Sequence, residues 1–103
     1  MDQEKLEKIL KYIKEFFANE YSGHDYWHSY RVYKMAEGIV KREGGDEELA
    51  IVSALLHDVD DKKIVGEQEI PFENAKKILA ELGYDEEFTE KVTHIISDRK
   101  SVV

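Results

Sequence analysis

The sequence predicts an all-α fold, and three observations carry the prediction. Apolar residues recur at intervals of three and four, the spacing of one helix face, and hardly anywhere at two. β-strand signals are nearly absent, as are internal repeats and low-complexity tracts. Ser22-Gly23, Gly44-Gly45, Pro71 and Gly83 fall between amphipathic stretches, where a helical bundle needs its turns. A bundle of about five helices in one domain over residues 1–103 follows.

The first helix runs from about Asp2 to Ala18, with Leu6, Ile9, Leu10, Ile13, Phe16 and Phe17 on one apolar stripe. A second begins near His24, after Ser22-Gly23, and ends at Gly44-Gly45, glycines suited to a C-cap. Its inward face reads His28, Val32, Met35 and Ile39, with Ala36 and Val40 beside it. The third starts after Asp46, a candidate N-cap. From Leu49 to Val59 it is apolar on nearly every side, which marks the buried central helix. A polar loop, Asp60 to Glu69, leads to Pro71, a residue that tolerates a helix start. Phe72, Ala75, Ile78, Leu79 and Leu82 stripe the fourth helix, which Gly83 stops, and a fifth begins near Asp85 with Phe88, Val92, Ile95 and Ile96 inward. The chain ends at Ser101-Val102-Val103, soon after an apolar helix and without a capping glycine. That end reads either as a C-terminally truncated or shortened version of a larger fold or as a frayed tail.

Composition narrows the function. Hydrophobic residues make up 42% of the chain and charged residues 37%, a soluble balance with many charges on helix surfaces. The absence of cysteine excludes disulfides, thiolate metal sites and cysteine nucleophiles. A net charge of −8 argues against a broad grip on nucleic acid. No apolar run approaches the ~20 residues of a membrane span, and the charged N-terminus MDQEKLEKIL is unlike a signal peptide. The expectation is a cytoplasmic protein with neither nucleic acid nor membrane as partner. Tyr12, Tyr21, Tyr26 and Tyr30 are candidates for an exposed partner surface, and an oligomer is compatible with them.

Two segments carry chemistry. In His24-Asp25-Tyr26-Trp27-His28-Ser29-Tyr30-Arg31-Val32, the residues His24, His28 and Arg31 are spaced by four and three and stack along one helix face. In Leu55-Leu56-His57-Asp58-Val59-Asp60-Asp61, a carboxylate ends a fully apolar helix. Burying it unpaired is expensive, and a divalent cation with a neighbouring imidazole removes the cost. Alternatively the helix ends at Leu56 and His57-Asp58 reach water. Two imidazoles and a carboxylate from helices that must pack form a plausible coordination sphere. Without thiolates it suits Mn, Fe, Ni, Co or Mg better than structural zinc.

The pattern His24-Asp25-x-x-His28-x-x-Arg31-Val32, followed by Ala54-Leu55-Leu56-His57-Asp58-Val59, resembles the HD superfamily of metal-dependent phosphohydrolases. The resemblance implies an HD-like helical domain with His28, His57 and Asp58 as metal ligands. Mn²⁺ is the first choice of cofactor and Mg²⁺, Fe²⁺, Ni²⁺ or Co²⁺ are compatible. The family's further Asp ligand lies on a later helix, for which His94 and Asp98 are the late candidates here; the other reading of those two is an exposed helix end. The implied reaction is hydrolysis of a phosphoester or phosphoanhydride in a nucleotide or similar small phosphate compound. Asp61 is the candidate general acid/base, with Asp60 second, unless both belong to a solvated loop. Arg31 is placed to hold phosphate as a forked donor or to pair with Asp58 or Asp61. Lys63, ahead of Lys62, and His24 are further candidates for substrate contact. Tyr26 and Trp27 either stack on a base or simply pack. The alternative function is a catalytically silent HD-like domain that senses a metal or nucleotide or mediates protein contacts.

Overall fold

A computed structural model describes residues 2–18, 26–61 and 65–101, the side chains of 98–101 excepted. Among the described residues the regular elements are five helices: α1 (Gln3–Phe16), α2 (Tyr26–Glu43), α3 (Glu47–Leu55), α4 (Glu73–Glu81) and α5 (Glu86–Ser101). None is long and apolar enough to cross a membrane.

Local chemistry sets most of the boundaries. The Asp2 carboxylate accepts from the Glu4 N–H at 2.9 Å and starts α1, and Asp46 accepts from the Leu49 N–H at 3.0 Å and starts α3. Asp85 does the same for α5, accepting from the Phe88 N–H at 2.8 Å. Gly44, at φ 82°, closes α2 in the left-handed region. The start of α4 is unlike the others. Its N-cap position is Phe72, itself left-handed at φ 59°, and no Phe72 side-chain group caps the helix.

The predicted central helix is central. Every residue of Ile51–Leu56 is buried, and α3 packs against α1, α2 and α5. Leu6, Ile9, Ile13 and Phe17 from the first segment close the core with Val59, Ala75, Ile78, Leu79, Val92 and Ile96. The helix does not run to Val59, however. It ends at Leu55, and residues 56–60 continue as turns. The Ala54 carbonyl, which an uninterrupted helix would offer to the Asp58 N–H, accepts from the His57 imidazole instead.

The predicted inward face of α2 is also corrected. Met35 is 66% exposed and Ile39 45%, while Ser29 and Tyr33 are the buried residues of the helix. Tyr26, Tyr30, Val32 and Ala36 pack half-buried against the core. Three tyrosines on one side remove more apolar surface from water than Met35 and Ile39 on the other, and they turn the helix toward themselves. Tyr12, Tyr26 and Tyr30 are half-buried and pack against the core; Tyr21 lies outside the described residues.

Candidate metal centre

Antiparallel packing of α2 and α3 brings the first turn of α2 beside the turn that follows α3, and there His28, His57 and Asp58 converge. One ligand-capable atom from each lies within 4.8 Å of the others. The Asp58 Oδ2 atom is 3.2 Å from His57 Nε2 and 3.7 Å from His28 Nε2. The two imidazole rings are 5.4 Å apart between centroids. The Asp58 side chain is 8% exposed and His57 16%, whereas His28 is 45% exposed and forms the open side. The two readings of this segment are thus each half right: the helix does end early, yet Asp58 stays buried.

The fit of a divalent cation is tested by the hydrogen bonds of His57. Its Nδ1 lies 2.6 Å from the Ala54 carbonyl oxygen. A carbonyl only accepts, so Nδ1 carries the proton, and in the neutral ring Nε2 presents a lone pair. That lone pair faces the Asp58 carboxylate, another acceptor, at 3.2 Å. Two acceptors turned on one another need a positive centre between them, either a metal ion or a second ring proton. An imidazole whose far nitrogen is tied to a backbone carbonyl is the usual arrangement of a metal-ligating histidine. The donor set of two nitrogens and one oxygen fits a first-row divalent cation.

The other candidate residues distribute unevenly. Asp61 lies at the end of the same turn, half-buried, with its N–H donating to the Asp58 carbonyl at 3.2 Å. Because α3 has ended, this turn and not helical spacing sets its distance from Asp58. Asp60 is committed elsewhere: its carboxylate accepts from Gln68 Nε2 at 2.8 Å and from the backbone N–H groups of Asn74 and Ala75, both at 2.9 Å. Arg31 is exposed one turn beyond His28. His24, Lys62 and Lys63 lie outside the described residues, as does the Asp98 side chain. His94 is exposed on α5 and is not in the group of potential ligands. Trp27, 62% exposed, meets the rings of Tyr26 and Tyr30 edge-on at 5.1 and 6.0 Å. Sequence reasoning missed Asn74, whose Nδ2 donates to the Val59 carbonyl at 2.8 Å. Its only signal was an amide-bearing residue in the first turn of α4.

Comparison with known proteins identifies the family. The HD domain family model matches residues 26–100, which include His28, His57 and Asp58. An uncharacterized protein of Bacillus subtilis (strain 168), YpgQ, is 30% identical over 91 residues, covering 88% of this chain. The chain spans 44% of that relative's length. No solved structure matches the chain.

Proposed function

The chain belongs to the HD domain family, a superfamily of metal-dependent phosphohydrolases, and from that premise we propose that it hydrolyses a phosphoester or phosphoanhydride bond in a nucleotide or similar small phosphate compound. The observation that carries the reading is the buried Asp58 carboxylate facing the Nε2 atoms of His57 and His28. These three residues are the proposed ligands. When bound, a divalent cation, Mn²⁺ by preference, supplies Lewis acidity to a phosphate oxygen and shifts the pKa of water from 15.7 towards ~7.

The remaining steps fall to the chain's own side chains. His57, whose Nδ1–H donates to the Ala54 carbonyl, is held in orientation so that Nε2 is the ligating atom. Asp61 takes the proton of the attacking water and returns it to the leaving oxygen. Arg31, one turn beyond His28 and in solvent, binds phosphate oxygens through its forked N–H groups and orients the ester. Lys63 and His24 are proposed to add substrate contacts. The open side at His28 is the route by which substrate enters.

Calorimetric titration of the metal-free protein with Mn²⁺, in parallel on wild type and His57→Ala, tests the site. Stoichiometric binding that the variant loses supports the assignment and leads to a screen of phosphate compounds. The described residues contribute three ligands. Binding without turnover of any phosphate compound would move the reading to a catalytically silent metal or nucleotide sensor.

A further inference from the structure

We propose that Asp60 and Asn74 form a clamp that positions the metal-binding turn, so that α4, which carries none of the ligands, sets the affinity of the centre for its cation. The inference rests on the metal-centre reading above.

His57 and Asp58 lie beyond the last residue of α3, outside the helical hydrogen-bond ladder. The turn's own backbone bonds are long: Val59 N–H to the Leu56 carbonyl at 3.4 Å, and Asp61 N–H to the Asp58 carbonyl at 3.2 Å. Bonds near the upper limit of the range constrain a backbone weakly. The shorter bonds come from α4 and the segment before it. Asn74 Nδ2 donates to the Val59 carbonyl at 2.8 Å. The Asn74 and Ala75 N–H groups each donate to an Asp60 oxygen at 2.9 Å, and Gln68 Nε2 adds a third donor at 2.8 Å. The clamped residues are the two that immediately follow Asp58.

The arrangement serves both partners. α4 lacks a side-chain cap at Phe72, so the Asp60 carboxylate satisfies two of its orphan N–H groups and sits at the positive end of the helix. In return α4, anchored in the core by the fully buried Ala75 and Leu79, fixes the stretch of backbone that carries Asp58. With both oxygens engaged by donors, Asp60 is a positioning residue and not a base or ligand. Ligand sites need their donors held within about 0.5 Å, and this hold comes from α4 on one side and from the Ala54–His57 bond on the other.

The test is Mn²⁺ calorimetry on the full chain, comparing wild type with Asn74→Ala, Asp60→Asn and Ile78→Ala, at a temperature where circular dichroism shows each folded. Asn74→Ala changes no charge and removes one bond to the turn, so it isolates positioning. It is expected to weaken Mn²⁺ binding about tenfold, the lower end of what loss of a supporting partner costs a metal site. Asp60→Asn is expected to weaken it at least as much. Ile78→Ala trims one core contact of the same helix but leaves the fully buried Ala75 and Leu79 and every clamp hydrogen bond in place, so its affinity should stay within about twofold of wild type. A metal-free readout accompanies these: amide hydrogen exchange at Val59 and Asp61 should accelerate in the two clamp variants while Val52 and Leu55 in α3 do not change. Wild-type Mn²⁺ affinity in Asn74→Ala, or an equal loss in Ile78→Ala, overturns the clamp. Failure of wild type itself to bind overturns the metal centre and the clamp's role with it, and that outcome is visible in the first titration.

Discussion

The His57 Nε2 atom stands 3.2 Å from the Asp58 Oδ2 atom, and the ring's Nδ1–H donates to the Ala54 carbonyl. A cation at this site would answer both groups at once, the Nε2 lone pair and the buried Asp58 carboxylate. Such a site is kept at a cost to the stability of the metal-free fold. Asp58→Asn keeps the shape, removes the charge and can turn an N–H₂ donor toward Nε2. Metal-dependent turnover is expected to vanish in this variant, with helical circular dichroism intact and a metal-free Tm no lower than wild type. The wild type should gain about 2.7 kcal/mol of stability at a metal concentration of 100 Kd, and the variant none. Equal turnover in both proteins would remove Asp58 from the site.

Arg31 offers a separate handle on the substrate, because it reaches solvent one turn from His28 without being among the potential metal ligands. Arg31→Ala is expected to raise KM for a phosphate substrate by about tenfold while leaving Mn²⁺ affinity unchanged. That loss is about 1.4 kcal/mol, close to the lower end of the ~1.5–3 kcal/mol of a hydrogen bond to a charged group. Arg31→Lys should recover part of it, since a lysine keeps the charge but not the fork. A fall in Mn²⁺ affinity instead would assign Arg31 to the support of the centre.

The orientation of α2 is tested by two substitutions whose ranking the hydropathy pattern reverses. Tyr33 is buried against the core and Met35 is exposed. Tyr33→Ala is therefore expected to cost about 3–5 kcal/mol in denaturant unfolding, as for other large buried aromatics. Met35→Ser should fall within about 0.5 kcal/mol of wild type, as surface changes do. The opposite ranking would mean that the helix lies with Met35 and Ile39 inward.

This helix also marks the limit of what the sequence made legible. Helix number, order and most boundaries followed from apolar spacing and from Asp2, Asp46, Gly44 and Gly83, because those signals are local. The grouping of His28 with His57 and Asp58 was legible too: a carboxylate after a fully apolar helix has few stable options. What escaped was decided by tertiary packing. The rotation of α2 turned on tyrosines that hydropathy undervalues. The end of α3 at Leu55 turned on an imidazole that competes for the Ala54 carbonyl. The role of Asp60 depended on Asn74 and Ala75, remote in sequence and joined to it only by the fold.

Alkaline pH should expose one of these tertiary relationships directly. Burial, then the Asp60 and Glu81 carboxylates, push the Tyr12 phenol up from 10.0 to about 12. A group whose pKa is raised by folding adds stability that is fully present below its unfolded pKa and is lost as pH rises through the folded value. Tyr12 thus contributes a loss of stability between pH 10 and about 12. Tyr12→Phe removes that contribution, so its unfolding free energy should fall less steeply than wild type over the same interval. It does not become flat, because burial also raises Tyr33 and Tyr84. Phenolate absorbance on wild type and Asp60→Asn supplies the complementary measurement. Removing the Asp60 charge is expected to return the Tyr12 titration part of the way to its ordinary value. An unchanged titration would show that burial and Glu81 alone hold the proton, and that Tyr12 lies too far from Asp60 to feel it.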